Sequence, residues 1–239
     1  MGLTLTLAVK SMHQENLRVG TQAVEQMDRL LSAALATADT LLPMIGKRCE
    51  SVLPDMRMAV ASNPWVRSAS VMHKDEPYCS TLLGRIGKAP APNTAPQNTL
   101  LMTPNLKLQG PDNLAEDFGS LSLTKAGAAS GVRVMLDNRL LVDRLDLLSG
   151  PTDVALHVGG VYLWDDGSLL RGELRQNPKY RTSVPSSQFD YAMHSSVSAE
   201  DVLNLLTEKL VTVLGTLSVV AILTGGLCHW VLTRPRREP

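Results

Sequence analysis

Three cysteines are the residues of this chain whose positions say most about chemistry. Cys228 lies in an apolar run without Lys, Arg, Asp or Glu, where a thiol behaves as a small apolar side chain. Cys49 and Cys79 lie in the polar part of the chain, so they are the two thiols available to pair in an oxidising compartment. Their bridge would close a loop of about 30 residues and stabilise the fold by roughly 3 to 4 kcal/mol. Spacing alone leaves open whether the bridge is a permanent structural link or a switchable one.

Other residues that could do chemistry form weaker patterns. Cys79 with His73 or His157 could supply a nucleophile and a base. A cysteine in a disulfide is not a nucleophile, however, and no sequence pattern identifies an Asp or Glu that would orient the base. Asp165-Asp166-Gly167 lacks the length of a calcium loop and predicts a hairpin turn. We expect no catalytic residue, no metal site and no cofactor, since no zinc-ligand spacing is present among His13, His73, His157, His194 and His229.

An apolar run near the C-terminus predicts a transmembrane helix. Residues 210–232 contain no formal charge, and a helix of that length crosses roughly 30 Å of hydrocarbon. The alternative, a buried core helix, is disfavoured by the length of the run. Arg234, Arg236 and Arg237 follow the run, which predicts a cytoplasmic C-terminus by the positive-inside rule. We therefore expect a bacterial inner-membrane protein with most of its chain in the periplasm.

The N-terminus predicts a second contact with the membrane. Residues 1–9 are apolar but too short to span a bilayer, and they lack the basic start and cleavage site of a signal peptide. We expect them to be the remnant of a first transmembrane helix, lost by truncation or by a misplaced start codon. The predicted organisation continues with a periplasmic domain at 10–205, the membrane helix at 206–232 and a basic tail at 233–239.

Composition excludes some classes of function. The chain has 23 basic and 23 acidic residues, so there is no overall electrostatic attraction to nucleic acid. Aromatic residues make up 4%, which argues against a platform for stacking bases. Its length suits one extramembrane domain. We therefore expect no nucleic-acid partner.

Hydrophobic periodicity predicts an α/β (α+β) domain with a long N-terminal helix followed by a mixed or antiparallel sheet. Helices are predicted at 14–45, 54–61 and 138–148, and a Pro-rich loop at 89–98. A capped helix beginning at 198–201 would run into the membrane helix and join the two rigidly. The predicted strands are 66–72, 78–83, 99–102, 131–136, 155–158, 161–163, 169–172 and 191–197.

The segment 63–84 resembles the hallmark of the CSS-motif periplasmic sensor domain. In that family a strand and a short turn lead into Cys-Ser-Ser with a glycine nearby. The present chain has Cys79-Ser80-Thr81 and Gly84, and threonine keeps the hydroxyl of the second serine. The second cysteine of the family lies about thirty residues upstream, as Cys49 does here.

The resemblance implies a function in signalling. In the family the sensor lies between two transmembrane helices and precedes a cytoplasmic EAL domain that hydrolyses cyclic di-GMP. No Glu-Ala-Leu motif is found here, so we expect a non-enzymatic chain truncated before the catalytic domain. Cys49 and Cys79 are implied to be a redox switch whose disulfide form restrains the phosphodiesterase. Ser80 and Thr81 are expected to bond the backbone of a tight turn and to have no catalytic role.

Three partners follow from these expectations: the inner membrane, periplasmic thiol-disulfide oxidoreductases and a second copy of the chain joined through helices. The alternative hypothesis is a periplasmic ligand-binding or adaptor domain whose disulfide is purely structural. An exported enzyme is a third hypothesis, without support from the residues.

Overall fold

The protein is seen here in a computed structural model, which describes most of the chain. The described ranges are 2–87, 104–110, 120–127, 130–149, 152–172, 181–197, 214–227, and the single residues 207, 211 and 229. The predicted loop at 89–98, the strand at 99–102 and the helix start at 198–201 lie outside them.

A long helix, α1 (Gly2–Leu41), packs against the sheets and organises the fold. Its apolar residues recur every three or four positions and so form one buried stripe. Leu17 lies at helical spacing from this stripe but is 46% exposed. The helix ends four residues before the predicted boundary, because Leu42–Met44 tightens into a 3-10 turn that contains Pro43. The buried stripe consists of Val19, Ala23, Val24, Met27, Leu30, Leu31, Ala34, Ala38 and Leu41.

The second helix, α2 (Cys49–Ala61), begins five residues earlier than predicted. The sequence prediction placed Pro54 in the first helical turn, but Pro54 lies inside the helix. Its missing N–H leaves one carbonyl in the preceding turn without a helical partner. Cys49, Val52 and Met56 form the buried face of α2, and this burial outweighs the disruption by proline.

The first sheet has six antiparallel strands in the order β3-β2-β1-β6-β5-β4. The predicted strands at 66–72 and 131–136 are confirmed, whereas the predicted strand at 78–83 ends at Ser80 because a turn follows. The turn between β1 and β2 places Lys74 and Asp75 at φ 51° and 65°. The strands are β1 (Val66–His73), β2 (Glu76–Ser80), β3 (Gly84–Arg85), β4 (Pro104–Gln109), β5 (Ser120–Ala126) and β6 (Ser130–Leu136).

The helix α3 (Asn138–Leu148) leads from the first sheet to the second and matches its predicted bounds. The side chain of Asp137 caps it by accepting bonds from the backbone N–H groups of Arg139 and Leu140. The second sheet is antiparallel, in the order β10-β11-β7-β8-β9. Its strands are β7 (Asp153–Val158), β8 (Val161–Trp164), β9 (Leu169–Arg171), β10 (Arg181–Pro185) and β11 (Ala192–Ser196).

The fold is therefore α+β, and of the two predicted sheet types the antiparallel one is confirmed in the described chain. Two sheets are present where the sequence indicated one. The strands predicted at 155–158, 161–163, 169–172 and 191–197 lie in the second sheet, as β7, β8, β9 and β11. In the part of the chain that the structure describes, no helix combines the length and apolarity needed to cross a bilayer. The helix predicted at 206–232 lies partly outside that part and stays a prediction.

Candidate functional site

A disulfide between Cys49 and Cys79 joins the first residue of α2 to strand β2. The two alpha carbons are 5.3 Å apart, which lies in the usual range for a bridged pair. Cys49 is 2% exposed and Cys79 is fully buried. A reductant in solution therefore reaches these sulfurs only if the surrounding chain opens.

The two hydroxyl residues that follow Cys79 bond the backbone around the turn. The backbone N–H of Thr81 donates to the carbonyl of Ala69 at 2.9 Å, and the N–H of Ala69 donates to Thr81 Oγ1 at 3.1 Å. Ser80 Oγ accepts a bond from the N–H of Leu82 at 3.3 Å. Thr81 thus extends the pairing of β2 with β1 by one residue, through one backbone bond and one side-chain bond.

The motif ends in a tight hairpin between β2 and β3. Gly84 begins β3 with φ +72°, a left-handed conformation that side chains other than glycine adopt at a cost. Leu82 and Leu83 form the tip and are 61% and 77% exposed. Arg85 in β3 lies 3.0 Å from the carboxylate of Glu50 in the first turn of α2. Both side chains of this ion pair are exposed to solvent, so the pair contributes little to stability.

Tyr78, directly before the motif cysteine, fixes the loop that leads into α2. Its hydroxyl accepts a hydrogen bond from the backbone N–H of Gly46 at 2.9 Å. The ring is 2% exposed, and this burial raises the pKa of the phenol. Tyr78 and Cys79 therefore attach the same strand to both ends of the segment 46–49.

A third sulfur lies against the disulfide. Met56 Sδ is 3.8 Å from Cys79 Sγ, and Met56 is fully buried. Arg57, the next residue of α2, donates from Nε to the carbonyl oxygen of Thr81 at 3.2 Å. Two consecutive residues of α2 thus contact the motif, one at its cysteine and one at its threonine.

The segment after α2 ties the motif region to the long helix. Asn63 Nδ2 donates to the carbonyl of Ala33 at 3.0 Å and to Thr37 Oγ1 at 2.9 Å. The other end of this amide, Oδ1, accepts from the N–H of Trp65 at 3.1 Å. Asn63, two residues after the end of α2, therefore links this segment to α1 by hydrogen bonds.

The long helix is held to the second sheet by a buried carboxylate. Asp28 Oδ1 accepts hydrogen bonds from Tyr191 and from Ser186 Oγ, each at 2.7 Å. Asp28 is 8% exposed and Tyr191 is 5% exposed. Burial, followed by the nearby Asp28 carboxylate, strongly raises the pKa of the Tyr191 phenol.

The two histidines considered as bases, His73 and His157, contact residues other than the cystine. His73 is at the end of β1, with Nδ1 3.4 Å from Ser130 Oγ. His157 is in the second sheet, stacked on Tyr162 at 4.2 Å between ring centroids, and His194 meets both rings edge-on at 5.3 Å. Burial is the largest cause lowering the pKa of His194 to about 4. Within the described ranges, no three His, Cys, Asp or Glu side chains are grouped to hold a metal ion.

Sequence reasoning missed several residues of this region: Met56, Arg57, Asn63, Asp28 and Tyr191. One signal could have found Met56. It lies seven residues after Cys49, and residues at that spacing share one face of a helix. The prediction began α2 at Pro54, so Cys49 and Met56 were not placed on the same helix.

This arrangement defines an α+β domain of two antiparallel sheets with one buried cystine at the start of its second helix. Residues 13–208 match the family described as CSS motif domain associated with EAL. The chain therefore belongs to this family, which confirms the resemblance found in the sequence. The chain is also similar to the probable cyclic di-GMP phosphodiesterase PdeD of Escherichia coli (strain K12), with 32% identity over 88 residues. That alignment covers 34% of this chain and 16% of the relative.

Two solved structures share the fold. The extracellular domain of the putative histidine kinase rpHK1S-Z16 aligns with TM-score 0.52 and 11% identity, covering 84% of this chain and 98% of that one. The periplasmic domain of RsbU from Chlamydia trachomatis aligns with TM-score 0.51 and 11% identity, covering 86% and 99%. At this level of identity the likeness concerns the fold alone.

Proposed function

We propose that the chain is a membrane-anchored periplasmic sensor module whose signal is the oxidation state of the Cys49–Cys79 pair. The observation that carries the proposal is the position of the buried disulfide, which joins α2 to the motif hairpin in a member of the CSS-motif family. The output would be regulation of a cyclic di-GMP phosphodiesterase, the activity named for the relative PdeD. The chain itself would act without catalysis.

The contacts around the disulfide supply a route from the redox state to the long helix. Reduction adds two electrons and two protons, which a periplasmic dithiol supplies while it becomes a disulfide itself. The freed α2 would then be held to the hairpin by noncovalent contacts alone, chiefly those of Met56 and Arg57. Asn63 would pass any shift of α2 to α1, whose first residues, 2–9, belong to the predicted membrane remnant.

Membrane anchoring is supported by the apolar surface near the C-terminus. Residues 214–227 are helical, and the large apolar side chains described among them are more than half exposed, from Leu214 at 54% to Ile222 at 73%. A row of exposed Leu, Ile and Val side chains is unfavourable in water and favourable in lipid. Carbonate extraction of membranes from cells that express the full chain tests this proposal: the protein should stay in the pellet. A C-terminal reporter active only in the cytoplasm tests the orientation.

The redox proposal is tested by the midpoint potential of the cysteine pair. The full chain in detergent, carrying Cys228→Ser to leave two thiols, is equilibrated with dithiol buffers, and the thiols are counted by alkylation. We expect a midpoint within the range of periplasmic and exchange-active disulfides, about −120 to −230 mV. A midpoint below about −300 mV would identify a structural link and refute the switch.

A conformational measurement separates signalling from simple reduction. Hydrogen exchange of α1 is compared in the oxidised and reduced chain, with the Cys49→Ala, Cys79→Ala double variant as the permanently unbridged reference. Faster exchange in α1 on reduction supports transmission through Asn63, and an Asn63→Ala chain should lose part of that response. Unchanged exchange in α1 contradicts the route.

The second candidate function, ligand binding, is favoured by one cleft between α1 and α3. Its volume is about 340 Å³. Two cationic side chains, Arg29 and Arg144, and the ring of Trp65 line it, and the Arg144 guanidinium lies over that ring at 5.2 Å. Such a cleft suits a small carboxylate with an apolar or aromatic body. Calorimetric titration with aromatic carboxylates should show binding that Arg144→Gln weakens and Arg139→Gln, on the same helix, leaves unchanged.

A further inference from the structure

Three sulfur atoms meet where α2 packs on strand β2 of the first sheet. Met56 Sδ lies 3.8 Å from Cys79 Sγ, which is bonded to Cys49 Sγ. Cys49 is 2% exposed, and Met56 and Cys79 are fully buried. Because α2 begins at Cys49, the cysteine and Met56 project from one face of the same helix toward the strand.

A pocket of two thiolates and a thioether has a defined metal preference. Soft sulfur ligands select Cu(I), whereas zinc takes four ligands drawn from Cys, His, Asp and Glu. The described residues hold no group of three such side chains, so zinc lacks ligands here. In a trigonal site with metal–sulfur bonds of about 2.2 to 2.3 Å, neighbouring sulfurs lie about 3.8 to 4.0 Å apart. The separation of Met56 Sδ and Cys79 Sγ already meets that requirement.

We propose that the dithiol form of the domain binds one Cu(I) ion through Cys49, Cys79 and Met56. This proposal rests on the proposed function, since it needs the reduced pair. A periplasmic dithiol donates two electrons and two protons to the cystine and becomes a disulfide. Cu(I) then replaces the protons of the two thiols, which pass to solvent, and the copper keeps its oxidation state.

Copper binding would change what the switch reports. Cu(I) has its ligands only in the dithiol form, so binding draws the redox equilibrium toward reduction by mass action. A free Cu(I) concentration 100 times the dissociation constant would favour the reduced form about 100-fold. The domain would therefore respond to periplasmic Cu(I) together with thiol redox state.

The test is an anaerobic titration of the full chain with Cu(I) in detergent. The Cys228→Ser chain is reduced with a phosphine, freed of reductant and titrated against a chromophoric Cu(I) chelator. We expect one Cu(I) per reduced chain, none per oxidised chain, and X-ray absorption that shows three sulfur neighbours. Met56→Leu conserves volume and should weaken binding at least tenfold. The matched control is Met58→Leu, since Met58 lies on the same helix, is 73% exposed and should leave the affinity unchanged.

Several outcomes would overturn the site. They are the absence of Cu(I) binding by the reduced chain, two-sulfur coordination, or equal affinities of Met56→Leu and the parent chain. Near-ultraviolet circular dichroism checks that the oxidised Met56→Leu chain is folded. If it fails to fold, a Met56→Cys chain, which keeps a third sulfur ligand, is titrated in its place. The titration begins from chemically reduced protein, so its result can be interpreted even if the midpoint potential refutes the redox switch. A midpoint in the exchange-active range without Cu(I) binding refutes the copper site alone.

Discussion

The phenol of Tyr191 donates a hydrogen bond to the carboxylate of Asp28 at 2.7 Å, across 163 residues of sequence. The same hydroxyl lies 3.0 Å from the carbonyl oxygen of Val24, so it contacts two successive turns of α1. This contact fixes the long helix to the second sheet, while Asn63 fixes it to the motif region of the first sheet. Polar contacts therefore connect α1 both to the second sheet and to the motif region.

Removal of the Tyr191 hydroxyl should destabilise the domain. Tyr191→Phe removes the hydrogen bond that the phenol donates to the buried Asp28 carboxylate and keeps the one from Ser186, so we expect a loss of about 1 to 3 kcal/mol in the free energy of unfolding. Urea denaturation followed by circular dichroism measures it. Tyr162→Phe is the control, because it keeps the ring stacked on His157 and should stay within about 0.5 kcal/mol of the parent.

The hydroxyl of Thr81 should contribute more to the stability of the domain than its methyl group. Thr81→Val removes the acceptor of the buried Ala69 N–H, so we expect a destabilisation of about 1 to 3 kcal/mol. Thr81→Ser restores the Cys-Ser-Ser pattern of the family, keeps the hydroxyl and should lose less than about 1 kcal/mol. Thermal unfolding of the oxidised chains compares the two variants. Equal losses would mean that the contact with Ala69 contributes nothing.

Gly84 should be needed for its backbone conformation. At φ +72° an alanine costs about 1 to 2 kcal/mol, although a Cβ there would meet only Leu53 Cδ2, at 3.9 Å. Gly84→Asn should cost less than Gly84→Ala, since asparagine tolerates the left-handed region. Denaturation midpoints of both variants give the comparison. A larger destabilisation by Gly84→Asn than by Gly84→Ala would indicate steric crowding rather than backbone strain at this position.

His194 should make the domain sensitive to acid. Its pKa in the fold is lowered to about 4 by burial and then by His157 and Arg181, from about 6.5 in the unfolded chain. The unfolded state binds the proton first, so this stability is present above pH 6.5 and is lost as the pH falls toward 4. After allowance for solvent screening the loss is on the order of 1 to 2 kcal/mol.

Stability measured from pH 7 to pH 4 in the parent and in His194→Gln checks this prediction. The variant should show a flatter curve across the window, whereas His73→Gln, in the other sheet, should follow the parent. A parent curve without a fall between pH 6.5 and 4 would contradict the lowered pKa.

The sequence by itself determined the elements whose signals are local, together with the family. The apolar stripe of α1, the helix α3 and the strands β7 to β9 each follow from periodicity and turn residues, which neighbouring positions encode. The pairing of Cys49 with Cys79 could be predicted because few thiols were available. Four strands were missed: β3, β4, β5 and β10. β3 has only two residues, β4 alternates over only a few residues, and β10 ends in Pro185, which its position at a sheet edge tolerates. In β5 the alternation of Leu121 and Leu123 with polar residues was a strand signal that the prediction overlooked.

Only the tertiary structure decided which distant side chains meet. The contact of Met56 with Cys79 depends on how α2 packs on β2, and the bond of Tyr191 to Asp28 depends on how α1 crosses the second sheet. The division into two sheets likewise depends on which strands pair, and pairing reflects burial on both faces more than the propensity of a single strand. These contacts join segments far apart in the chain, so no local pattern of residues specifies them.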